Sequence, residues 1–297
     1  MPSTSPLLPP VVVGEVLFDH FPDGNRVLGG APLNLAWNLQ GLGVPSIFIS
    51  AVGKDSEGEL IQQEMTSWGM STRGLQIVDH PTGRVSVTMV DGQPEYDIVN
   101  EVAFDFIQPP SFPITANEFS MLCYGSLAFR CPTTRRTLTD LIQQSGLDRF
   151  VDINIRDPFF DVAWLDTLLG GARWVKLSEA ELSRLVDAPC NDQSQIAAGC
   201  ETLRGRFDID TVLVTCGSEG AHACSAGSHE FSPVAPVDSL ADTVGAGDSF
   251  AAATIAGLIR NVPIREILPK AAKFASQVCT IHGATSKDQS FYDQASA

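Results

Sequence analysis

The chain has 297 residues, 44% of them apolar and 18% charged, and a formal net charge of -16. That length fits one large α/β domain with a sizeable core, and with no apolar run of about 18 residues or more the sequence is not read as crossing a membrane. The acidic balance argues against nucleic acid or an anionic membrane as a partner, since both are held by basic faces, but it leaves room for a nucleotide that brings its own divalent cation.

In chain order, MPSTSPLLPP (1–10) carries no charged segment followed by an apolar stretch and reads as a loose terminus. Residues 11–297 read as one domain. Val11 to Phe18 (VVVGEVLF) predicts a buried strand, and GGAPLNLAWNLQGLG from Gly29 to Gly43 a glycine turn feeding a helix with Leu33, Ala36, Trp37 and Leu39 on its apolar side. Strand then helix recurs: Ile47 to Val52 with Glu57 to Trp68, Met121 to Tyr124 with Thr133 to Gln144, and Phe150 to Ile153 with Val162 to Leu169. Trp174-Val175 precedes Glu179 to Val186, and Thr211 to Val214 precedes a later helix from Gly247 to Ile259. This alternation predicts a mainly parallel sheet with helices on both faces. One stretch breaks it: Gly83 to Val99 alternates with period two about a turn at Asp91-Gly92, a hairpin inserted within 74–105. It reads equally as a β lid over the sheet ends or as an ordinary edge hairpin.

Seven cysteines with no Cys-x-x-Cys pair suggest free thiols in a reducing compartment, and the cytoplasm is the expected location. No G-x-x-x-x-G-K-[ST], H-E-x-x-H or G-x-S-x-G occurs, so P-loop, zincin and α/β-hydrolase chemistries lose their main support.

The most informative stretch is ADTVGAGDSF, from Ala241 to Phe250. In one reading Gly245 and Gly247 shape a turn and Asp248 caps the helix that follows. In the other, small residues bare the backbone N–H groups of a helix N-terminus as an anion hole, and Asp248 stands at its lip to take a proton from an attacking hydroxyl.

GGAPLNLAWNLQGLG followed by Gly53, and DTVGAGDSFAAATIAG much later, resemble the two signatures of the ribokinase-type (PfkB) sugar kinases. The resemblance spans the chain from Gly14 to about Ala284 and implies a ribokinase-like α/β fold with a small β lid. It implies that Asp248 is the catalytic base and that the amides of Gly245, Ala246 and Gly247 form the hole for the transferring phosphoryl. It further implies sugar binding by Asp19, Gly30 and Asn34. VDINIRDPF is similar to the D-x-N-x-R segment of fructokinases, which places Asn154 by the phosphates and Arg156 by the substrate. Thr215, Gly217 and Gly220 would border the ATP groove. Asp242 matches a position that contributes to a monovalent-cation (K+) site in several relatives, and reads as well as a turn-stabilising Asx residue. VKLSEAEL departs from the family's N-x-x-E motif: Ser178 replaces the asparagine, and Glu181 remains either as a residue acting on Mg2+ or as an exposed first-turn acid.

Between Arg84 and Arg130 there is no lysine or arginine, while Asp91, Glu95, Asp97, Glu101 and Asp105 fall within that stretch. An anionic sugar would go uncompensated there, so a neutral sugar is expected. With the likeness of PTGRVSVTMVDGQPEYDIV and GEVLFDHFPDG to fructokinases, the expectation is ATP- and Mg2+-dependent phosphorylation of D-fructose. The alternatives are a ribokinase, a nucleoside kinase, a sugar-acid (2-keto-3-deoxygluconate) kinase or a non-catalytic sugar-binding protein of the same fold. A homodimer formed through the lid is the expected assembly.

Overall fold

The computed structural model describes residues 7–90, 93–237 and 239–296. The amino-terminal half contains β1 (Val11–Val13), β2 (Leu17–His20), β3 (Arg26–Gly29), α1 (Ala31–Gly41), β4 (Ile47–Gly53) and α2 (Ser56–Ser67). Next come β5 (Leu75–Val78), β6 (Gly83–Val90), β7 (Gln93–Ile98), β8 (Met121–Gly125), α3 (Pro132–Gln144), β9 (Asp148–Asp152) and α4 (Leu165–Leu169). The chain then forms β10 (Trp174–Ser178), α5 (Glu179–Val186), α6 (Gln193–Phe207), β11 (Thr211–Thr215), β12 (Gly220–Ser225) and β13 (Ser228–Pro233). It closes with α7 (Ala246–Ile259), α8 (Ile264–Val278) and α9 (Gln289–Ser296).

The main sheet runs β13-β12-β11-β10-β9-β8-β1-β4-β5 among the described residues. From β11 to β5 every pairing is parallel, and β12 and β13 add an antiparallel edge. Side chains alternate between two cores. Val11, Val13, Leu122 and Val151 face one side, with Leu138, Leu168, Leu182 and Leu203 of α3 to α6. Val12, Phe48, Cys123 and Phe150 face the other, with Trp37, Phe250, Ile255 and Phe274 of α1, α7 and α8. Burial on both faces is why these strands read as continuous apolar runs.

Two predicted features differ. Val11 to Phe18 is not one strand, because Gly14 breaks it: φ is 153° there, and a Cβ would stand 2.4 Å from Pro32 Cγ. The chain therefore leaves the main sheet after β1 and enters a second one. That second sheet, β3-β2-β6-β7, enlarges the predicted hairpin to four strands, with β2 and β6 parallel. Leu17, Val85 and Val87 seat it on Val102, Phe104 and Leu127. The Asp91-Gly92 turn lies outside the described residues. So does 1–6 of the expected loose terminus, but Pro9 and Pro10 are fastened, their carbonyls accepting from Ser120 and Ile47 N–H.

From β1 the chain proceeds outward to β4 and β5, then returns to β8 on the other flank of β1 and proceeds the opposite way. Strand order thus reverses between β1 and β8. In open parallel sheets the crevice outside the carboxyl ends at such a reversal is where ligands bind. Here those ends deliver Glu15, Ser126, Asp152 with the 153–156 segment, and Ser178. No described helix is long and apolar enough to cross a membrane.

Candidate active site

The amino-terminal end of α7 opens on this crevice. Gly245 is its N-cap, at φ 78°, where a Cβ would lie 2.2 Å from the Cβ of Ala284, so both backbone and packing require glycine. Asp248 is not the cap. It lies in the first turn, and its Oδ2 accepts a 2.8 Å hydrogen bond from Nδ2 of Asn34, 214 residues away on α1. The Ala246 amide turns back to the Thr243 carbonyl at 3.3 Å, so it is not free for an anion as expected. Among the described residues the amides of Gly245, Gly247 and Asp248 have no acceptor and, with the helix dipole behind them, form a converging positive end.

The Asn34–Asp248 bond joins the two glycine motifs into one site. Gly30, the N-cap of α1, has φ 110°, and a Cβ there would stand 2.6 Å from the Glu15 carbonyl, so it holds the α1 turn tight against the end of β1. Asp19 comes from β2 in the lid sheet, a half-buried carboxylate raised to about 6 by burial and partly restrained by Arg156. Burial also raises Asp248, against the Asn34 hydrogen bond and the charges of Lys176 and Arg156. Arg156 is exposed, yet its charge acts on Glu15, Asp19 and Asp248 alike. The site is therefore not cation-free, because Arg156 arrives from the segment after β9. Asn154, next to it, holds a left-handed φ of 45°, strain of a kind that collects at functional sites.

Asp105 also differs from expectation. It belongs to a 3-10 turn (Ala103–Phe106) beneath the lid, where Arg130 grips both its oxygens at 2.6 and 2.7 Å. It is a paired structural acid and not an open charge of the lid.

Glu181 is engaged by its own chain: Oε1 accepts from Ile155 N–H at 2.6 Å, and Oε2 from the Ser178 N–H and hydroxyl at 2.7 and 2.9 Å. With Ser178 capping α5 in return, this is a capping box that also clamps the Asn154 loop. Asp242 likewise spends Oδ1 on Val244 N–H at 3.0 Å and Oδ2 on Gly283 N–H at 3.1 Å, the Asx reading. Thr215 ends β11 beside Ser178, and Gly217 follows at φ 51°. Gly220 serves the β12–β13 pairing, since a Cβ would meet the Ser232 carbonyl at 2.1 Å. No described group of three or more His, Cys, Asp or Glu gathers tightly enough to hold a metal unaided. Mg2+ needs no such cage, as it keeps waters and binds through substrate phosphates with one or two carboxylates.

Two charged residues escaped the sequence reading. Lys176, in the middle of β10, donates to both Asp152 oxygens at 2.9 and 2.8 Å. Burial opposes its charge, but Asp152, Asp248 and Glu181 outweigh it and hold the ammonium above the usual lysine range. Glu15, 5% exposed, is raised to about 7 by burial. Each was detectable as a lone charge inside an apolar strand segment, VVVGEVLF or WVKLS.

The model of the pfkB family carbohydrate kinases matches residues 14–290. A fructokinase of Klebsiella pneumoniae is 31% identical over 265 residues, covering 83% of this chain and 83% of that protein. Among solved structures, Arabidopsis thaliana ribokinase complexed with ribose and ATP shares the fold with a TM-score of 0.82, at 22% identity over 98% of this chain and 99% of its own. A Vibrio cholerae O395 fructokinase in a form with fructose, ADP and calcium bound aligns at TM-score 0.79 and 25% identity, over 97% of this chain and 98% of that one.

Proposed function

The chain belongs to the pfkB family of carbohydrate kinases, and from that premise we propose that it transfers the γ-phosphoryl of ATP to a hydroxyl of a neutral sugar, D-fructose first. The observation that carries this is the Asn34–Asp248 bond, which sets an acceptor-only carboxylate beside the open amides of Gly247 and Asp248. Asp248 takes the proton of the sugar hydroxyl as its oxygen attacks the γ-phosphorus, and ADP departs. The amides meet the charge that spreads over the phosphoryl oxygens. Burial makes Asp248 a stronger base than a solvated aspartate while Lys176 and Arg156 favour its ionised form.

Asp19 and Asn34 hold sugar hydroxyls, as carboxylates and side-chain amides do for neutral sugars. Asn154, Thr215 and Gly217 border the nucleotide. The acidic oxygen donors here suit Mg2+, which would neutralise the ATP phosphates when bound, with Glu181, already engaged by Ile155 and Ser178, acting on it through water. Arg156 is the cation an anionic substrate would seek. The fructose assignment therefore rests on the fructokinase likeness and on the absence of lysine and arginine between Arg84 and Arg130, although Arg26 and Arg84 lie in the lid sheet itself, and the alternatives differ only in the acceptor.

A panel of fructose, ribose, a nucleoside, fructose 6-phosphate and 2-keto-3-deoxygluconate, measured with ATP and Mg2+, tests it. Fructose is expected to exceed both anionic acceptors by about a hundredfold in kcat/KM, which corresponds to roughly 2.7 kcal/mol. Preference for an anionic acceptor would overturn the fructose reading and leave the kinase reading standing. Absence of transfer to any acceptor would overturn both.

A further inference from the structure

Lys176 occupies an unusual place. It stands in β10, between β9 and β11 in the middle of the parallel sheet, and its side chain is 8% exposed. A buried ammonium in such a strand carries a desolvation cost that only specific partners offset. Of its three donors, two are spent on Asp152. The third has no acceptor among the described residues.

The direction in which the ammonium lies is the informative part. A Cβ built on Gly247 would come 3.1 Å from Nζ, so the charge sits against the first turn of α7. A helix N-terminus is itself positive, and a cation placed there is repelled. Two positive groups converging on one spot gain stability together when an anion lies between them. The bare Cα of Gly247 leaves the ammonium a path to the same spot that the Gly247 and Asp248 amides face.

We propose that Lys176 is a catalytic residue of the phosphoryl transfer, its remaining ammonium N–H donating to a non-bridging oxygen of the phosphoryl held at the α7 N-terminus. The inference rests on the kinase reading above. Lys176 keeps its protons throughout: the sugar O–H proton goes to Asp248, the sugar oxygen forms the new O–P bond, and the β–γ bridging oxygen leaves with its electron pair on ADP. Gly247, inside α7 with no left-handed backbone to require it, is then glycine for the lysine's sake.

The competing account is that Lys176 only neutralises Asp152. A double-mutant cycle separates the two. Lys176→Met is expected to lower kcat with ATP and the best sugar of the panel by about a hundredfold or more, in the native background and in Asp152→Asn alike. Sugar KM should stay within about threefold, and Lys176→Arg should recover part of the loss. Independently of turnover, Lys176→Met should lose the preference for ADP with Mg2+ and aluminium fluoride over ADP alone, measured by calorimetry on protein whose melting curve shows it folded. If Lys176→Met costs nothing in the Asp152→Asn background, or keeps the native preference for the analogue, the proposal is overturned while the kinase reading stands. A native enzyme that transfers phosphoryl to no sugar removes the kinase reading itself, and this proposal with it.

Discussion

At the scale of single residues, the site is built from charges held where water is scarce, and Asp248 is the clearest of them. Its carboxylate is half-buried, the desolvation raises its pKa, and one oxygen is fixed by Asn34. Asp248→Asn keeps the shape and the option of a bond to Asn34 but cannot accept the proton. Steady-state kinetics should show kcat lower by about a hundredfold or more, with ADP affinity nearly unchanged by calorimetry; retention of more than about a tenth of native kcat would remove Asp248 from the base role. Gly30, Asn34, Gly245 and Asp248 were legible because spacing in glycine motifs encodes a backbone shape, whereas Asp19, Asn154 and Arg156 were named only through the family resemblance. Lys176 and Asp152 were not legible as a pair, since β10 and β9 become neighbours only through the sheet. Glu181 and Asp242 show the reverse: a motif names the residue, but the structure spends both carboxylates on backbone N–H groups.

At the scale of elements, alternating strand and helix signals sufficed for the central parallel strands because β1, β4, β8, β10 and β11 are buried on both faces, whereas the edge strand β5, with Ile77 exposed, went unread. The lid was half legible. Its hairpin has clean period-two alternation, but β2 and β3 have four residues each and follow a glycine break that no alternation marks. α8 was unread although it is amphipathic, with Pro269 lying inside it. A buried ion pair braces the floor of the lid beside its apolar contacts. Arg130 and Asp105 are each 4% exposed, and the guanidinium lies 4.6 and 4.8 Å from the ring centroids of Phe104 and Phe159. Arg130→Met would strand Asp105 as a buried, unpaired carboxylate, at a cost of about 3–5 kcal/mol by urea denaturation. Asp105→Leu combined with it should restore most of that stability, because the pair can be exchanged for apolar volume more cheaply than broken. A single variant as stable as the native protein would show that the lid floor does not depend on the pair.

At the scale of the whole molecule, the site's raised carboxylates set stability against activity. Glu15 is raised to about 7, and Asp19 and Asp152 to about 6, each by burial first, and Asp248 is raised as well. For a carboxylate whose folded pKa lies above its unfolded value, the native state binds more protons between the two, so its contribution is full below about pH 4 and is lost as pH rises through the folded value. His222 works the other way: burial, with His229 beside it, depresses its pKa, so it favours the native state as pH rises through about 6.5. One histidine opposes four carboxylates. The net charge of -16 adds to the same side, since protonation relieves self-repulsion. The melting temperature should therefore be higher at pH 5.5 than at pH 8, by about 3 °C or more for a chain of this size. Turnover should fall over the same change, because Asp248 must be ionised to act as the base. Melting curves and kcat profiles across that range, at fixed ionic strength, check both limbs. In Asp248→Asn the pH dependence of melting should be weaker than in the native protein but not abolished, since Glu15, Asp19 and Asp152 keep their share, and the difference is the stability cost of the carboxylate that performs the chemistry. A native melting temperature that stays level or rises from pH 5.5 to 8 would mean that these carboxylates are not held above the range of solvated acids, and the burial assigned to the site would be wrong.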